Sequence, residues 1–235
     1  MENCKNKVSL SHIADIYLYE YYVAKEQPYE LELQDKIKDY IKKSHELMEE
    51  MEYEDALKEW MKVLKHNPVC MEAYNGMISC YKYLYNIEKE YEITLKTYNF
   101  SCTRAELAAY YRNLGWYYLE SYQPNVAVAC YKYSDLFETS EQVKSEISYL
   151  ETALEKSYQD MSVDQIQNIL TEKDIPLKAN SITLALIYKA GLEAYNTGNN
   201  MQARDCFHMV YDLTQDEEIK QLLDKVTINE SNHRR

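Results

Sequence analysis

Residues 108–139 read AAYYRNLGWYYLESYQPNVAVACYKYSDLFET, and the spacing within them decides the fold. Gly115 is a small residue inside a helical pattern, and Ala127 is another, twelve residues on. Small residues at those two places let the two helices of a hairpin approach closely. Tyr111, Tyr118 and Tyr131 supply rings that fill the space beside them, because protein interiors leave few voids.

The interval recurs. Ser44 is followed after twelve residues by Ala56, after four more by Trp60 and after eight more by Pro68, within the block YEDALKEWMKVLKHNP. Gly191 is followed after twelve by Ala203 and after four more by Phe207, with Tyr195 and Gly198 between. One Ala-x₃-aromatic pair means little, but three, each twelve residues after a small residue, are hard to obtain from unrelated helices.

These residues resemble the tetratricopeptide repeat, W-x₂-L-G-x₂-Y … A-x₃-F … P in a unit of 34 residues. Tyr111, Leu114, Gly115, Tyr118, Ala127 and Tyr131 take its positions, with Thr139 where the closing Pro would stand. The resemblance implies an all-α, TPR-type α-α solenoid: a right-handed superhelix of antiparallel helix pairs with N- and C-terminal capping helices. On it, Ser44, Ala56, Trp60, Pro68, Gly115, Tyr118, Ala127, Tyr131, Gly191, Ala203 and Phe207 are expected to pack the repeats.

The chain is then read as a single solenoid over residues 1–235. Its units are an N-terminal cap helix (9–27), repeat 1 (37–70), repeat 2 (71–107), repeat 3 (108–141), a divergent helix pair (142–183), a last repeat (184–217) and a C-terminal cap helix (216–228). Helical spacing predicts a helix over 30–51, a second helix of repeat 2 over 88–98, single helices over 141–159 and 163–171, and a final helix over 216–226. Residues 229–235 read as a disordered polar tail.

Composition agrees with an all-helical chain. Four Gly and four Pro in 235 residues are too few for a turn-rich β fold. Tyr outnumbers Phe by 25 to 3, so many core rings carry a hydroxyl that must reach water or a backbone carbonyl. The net charge of −13 argues against nucleic acid and anionic membranes as partners. The N-terminus lacks an uninterrupted apolar core of signal-peptide type, and no stretch reaches the length of a membrane span. Six cysteines without C-x-x-C spacing read as reduced thiols. A cytoplasmic protein is expected.

Catalytic and metal signatures do not occur: no H-E-x-x-H, no phosphate-binding Gly loop, no G-x-S-x-G. No enzyme activity, cofactor or metal is expected. The resemblance implies instead a non-enzymatic scaffold for protein–protein interaction that binds a protein or peptide on its concave face. Mapped onto the lining positions, Asn75, Ser79, Tyr83, Arg112, Asn113 and Trp116 are the expected partner-binding residues. Asn amides clamp a peptide backbone, and Arg with Trp is the composition of interface anchors. His45 maps to the same side. The carboxylate clamp of chaperone-binding relatives is absent, since Ile41, His45, Gly76, Ala109 and Asn113 stand at its positions. Two other readings follow from the same sequence: a peptide-sensing regulator acting on a separate effector chain, and a homo-oligomerising structural module.

Overall fold

The computed structural model describes residues 31–179 and 182–233. The expected N-terminal cap helix at 9–27 lies outside the described residues. Eleven α-helices and no strand occur among the described residues: α1 (Leu31–Glu49), α2 (Tyr53–His66), α3 (Met71–Tyr83), α4 (Ile87–Thr97), α5 (Arg104–Glu120), α6 (Pro124–Ser134), α7 (Glu141–Ala153), α8 (Val163–Glu172), α9 (Ile182–Asn196), α10 (Asn200–Thr214) and α11 (Glu217–His233). The class is all-α. None of these helices is long and apolar enough to cross a membrane.

Local chemistry sets the helix starts. Thr103 and Glu106 form a capping box at α5, and Ser162 and Gln165 form another at α8. Asn86, Ser140 and Asn199 cap α4, α7 and α10 through side-chain oxygens, and Pro124 occupies the first turn of α6.

Six of the helix ends share one device. Met51, Tyr85, Tyr122, Glu155, Asp174 and Gly198 all have positive φ, between 48° and 79°. In each case the following amide donates back across the last turn, as in Glu52 N to Leu47 O at 2.8 Å and Asn199 N to Ala194 O at 2.9 Å. This is the Schellman closure, which satisfies carbonyls the helix leaves open.

Two predicted elements differ in extent. The helix expected over 141–159 ends at Ala153, because Glu155 turns into the left-handed region and Glu151 Oε1 accepts from Tyr158 N at 2.6 Å. The final helix continues to His233, through residues read as a disordered tail. No Gly or Pro occurs after Gly198 to stop it.

The described residues fall into two compact units. One holds the described residues of Met1–Phe100 and Asn180–Arg235, and the other is Ser101–Ala179. In the first unit, α1 to α4 enclose Trp60, which is fully buried with Ala56, Val63, Ala73 and Met77 around it. Trp60 Nε1 donates to Met48 Sδ at 3.4 Å, and the ring lies over Gly76. The helices α9 to α11 of that unit pack around Phe207, Ala203, Val210, Ile219 and Val226. Gly191 sits under this group, with its Cβ position 2.8 Å from Cys206 Cβ and 2.9 Å from Phe207 Cε1.

In the second unit, α5 and α6 form the central hairpin, with Leu107, Tyr111, Leu114 and Ala127 to Cys130 buried. Gly115 lies under the Tyr131 ring. Beyond α8 the chain returns over this hairpin as a strap. Tyr111 Oη donates to Pro176 O at 2.6 Å and Tyr133 Oη donates to Leu177 O at 2.7 Å. Ile175 is buried beside them.

Candidate functional site

The residues expected to bind a partner fall on two helices, α3 in one unit and α5 in the other. On α3, Asn75 is exposed, Ser79 is half-buried and Tyr83 is exposed. Successive steps of four residues put them along one stripe of the helix. Next to this stripe, His45 of α1 and Glu72 of α3 meet at 2.9 Å, tying the two first helices together. His45 also sets its ring edge against Trp60, with centroids 5.1 Å apart. At the far end of the stripe Tyr83 stacks on Tyr53 of α2, centroids 4.6 Å apart and planes 7° from parallel.

Gly76, which the repeat register also places on the lining, has a packing role instead. A Cβ there would lie 2.2–2.5 Å from the Trp60 indole, so the position admits no side chain without moving that ring.

On α5, Arg112, Asn113 and Trp116 are half-buried. Arg112 Nη2 donates to Glu138 Oε2 at 3.2 Å, so the cation is not an isolated charge. Its Nη1 is buried and makes no hydrogen bond. Burial pushes the carboxyl of Asp135 above the ordinary carboxylate range, against the opposing pull of the Arg112 charge. Asn113 and Trp116 each make contacts of their own within the chain.

Electrostatics elsewhere is dominated by structural pairs. Glu59 is buried on α2 and accepts from both Lys43 (3.0 Å) and Lys62 (2.8 Å), which hold its carboxyl low against burial. Glu90 on α4 is fully buried. Its Oε1 accepts from Thr94 Oγ1 at 3.0 Å, Lys82 Nζ approaches to 3.8 Å, and Oε2 has no hydrogen-bond partner. Burial raises its pKa to about 7. No periodicity argument singles this residue out, because a Glu in the first turn of a helix reads as a solvated charge.

The described cysteines are free thiols, Cys80, Cys102, Cys130 and Cys206 buried and Cys70 half-buried. Burial pushes Cys80 up to about 11 and Cys206 up to about 12, far from the thiolate form that reacts or binds metal. No group of three His, Cys, Asp or Glu that could hold a metal occurs among the described residues. A cleft of about 480 Å³ opens at the start of α8, lined by Lys156, Tyr158, Asp160, Gln165 and Asn168. Lys156 in it donates to Asn125 Oδ1 at 2.8 Å and covers the Tyr158 ring.

The accessible groups are amides, tyrosine rings, an indole and a paired guanidinium on helix faces. No protein-family model matches the chain, and no curated protein matches it.

Proposed function

We propose that the chain is a non-enzymatic scaffold of the tetratricopeptide kind, stacked as a solenoid and binding a protein or peptide in the cytoplasm through its first-helix faces. One observation carries this reading. Gly115 lies under the ring of Tyr131 and Gly191 under that of Phe207, each ring sixteen residues further along and each belonging to the second helix of the same hairpin. Ser44 and Trp60, at the same interval, are both fully buried. A recurring hairpin that spends its small residues on close helix approach builds a stack, and its first helices present their outer stripes. Asn75, Ser79 and Tyr83 form that stripe on one unit. Arg112, Asn113 and Trp116 form it on the other.

The test is affinity capture from lysate with the wild type and with a variant joining Arg112→Ala to Trp116→Ala. Proteins lost from the variant are then titrated against the purified chain. Affinity lower by about 1–3 kcal/mol for each single variant supports the reading. Equal capture by both forms, or unchanged affinity in both single variants, defeats it.

A further inference from the structure

Two of the hairpin tips of the first unit carry large exposed side chains on a left-handed backbone. Met51, between α1 and α2, and Tyr85, after α3, sit at φ 63° and 53°. That region strains a residue with a Cβ, and helix ends often place Gly or Asn there. The chain uses Gly198 at the tip between α9 and α10, while Tyr122, Glu155, Asp174 and Gln215 share the conformation at other helix ends. Burial does not offset the strain, since Met51 is 74% and Tyr85 66% exposed. Tyr83 is 68% exposed and lies flat on Tyr53. An apolar, aromatic platform is thus displayed to solvent.

Its surroundings are acidic. Glu50 and Glu52 flank Met51, Glu54 follows Tyr53, and Glu88 lies in the first turn of α4; all four are exposed. None of them forms an ion pair among the described residues. The nearby cations are engaged elsewhere: Lys58 with Asp55, Lys82 with Glu90, Lys89 with Glu92.

We propose that this tip surface docks an arginine-bearing basic peptide segment of a partner protein. A guanidinium stacks on an exposed tyrosine face while its N–H forks meet carboxylates, a combination that suits Arg better than Lys. The thioether of Met51 and the ring of Tyr85 cover the apolar stems of such side chains. A second copy of the chain would oppose carboxylates to carboxylates, and an anionic lipid surface would be repelled. The inference goes beyond the first-helix reading and shares only Tyr83 with it.

The experiment is fluorescence anisotropy of the full chain with a fluorescein-labelled nona-arginine peptide at about 0.15 M salt. Tyr83→Ala with Tyr85→Ala, and separately Glu50→Gln with Glu52→Gln, each raise Kd about tenfold or more. Glu141→Gln with Glu217→Gln, an equal charge change elsewhere, shifts it less than about twofold. Tyr83→Phe keeps the ring and keeps binding. The proposal is overturned if the control pair weakens binding as much as the tip pairs, if neither tip pair does, or if the wild type fails to bind. It is equally overturned if light scattering shows a dimer that the tyrosine pair abolishes, or if phosphatidylserine vesicles capture the chain. Should it fail while Arg112→Ala still weakens a captured partner, the scaffold reading stands.

Discussion

Gly115 and Tyr131 fix each other's shape: a Cβ built on Gly115 would lie 2.4 Å from Tyr131 Cε1 and 2.5 Å from Cδ1. Both are buried at the centre of the α5–α6 hairpin. Gly115→Ala therefore costs about 1–3 kcal/mol through overpacking, against a helix-propensity gain of about 1 kcal/mol. Tyr131→Leu in the same chain relieves the clash, so the double variant is more stable than additivity allows. Urea melts of the four proteins measure the coupling. A Gly115→Ala melt identical to the parent's would remove the contact from the argument.

Gly76 makes the same demand on Trp60. With Trp116→Phe as background, Trp60 is the single indole, and Gly76→Ala should shift its emission and flatten its near-ultraviolet dichroism. Trp60→Ala should cost about 3–5 kcal/mol, since the fully buried indole leaves a large cavity. Emission unchanged by Gly76→Ala would mean the ring has room to spare.

Glu90 sets a pH dependence whose sign is definite. Its folded pKa is raised to about 7 by burial, above the ordinary value of 4.5. Between those values the folded state holds a proton that the unfolded state has lost, so stability falls as pH rises from about 4.5 to about 7. Below that window the contribution is complete; above it the carboxylate is buried and charged in the presence of Lys82. Relative to the parent, Glu90→Gln should gain stability on the order of 2–3 kcal/mol at pH 8 and little at pH 4.5. Thermal melts across that range decide it, and parallel curves for the two proteins would refute the assignment.

The strap over the second unit hangs on two hydroxyls. Tyr111→Phe or Tyr133→Phe leaves Pro176 O or Leu177 O without its donor, at about 1 kcal/mol each. Trypsin should then cut faster at Lys178, which is exposed within the strap. Cleavage at the parental rate in both variants would show that the hydroxyls do not hold the segment.

Part of this architecture was legible in the sequence and part was not, for identifiable reasons. The intervals from Ser44, Gly115 and Gly191 to Ala56, Ala127 and Ala203 are local, so helical periodicity exposes them. The break at Ala153 is invisible because Glu155 takes the left-handed conformation without being Gly or Asn. The tail helix is not legible because polar residues such as Asn229 and Ser231 weigh against helix by propensity, while nothing terminates α11 before them. Gly76 reads as a lining residue from its register, yet its role depends on where Trp60 points. Arg112 reads as an anchor, yet its pairing with Glu138 joins positions 26 residues apart. The division into two units rests on tertiary contacts, which periodicity does not carry.

The strap also orders events in time. Tyr111 and Pro176 are 65 residues apart and Tyr133 and Leu177 are 44 apart, whereas Gly115 meets Tyr131 across sixteen. Closing the longest of these loops costs about 1 kcal/mol more in chain entropy than closing the shortest. The α5–α6 hairpin therefore forms first, and residues 175–179 settle onto a surface already built. Loss of either hydroxyl then accelerates unfolding and leaves the refolding rate nearly untouched, the signature of a contact made after the barrier has been crossed.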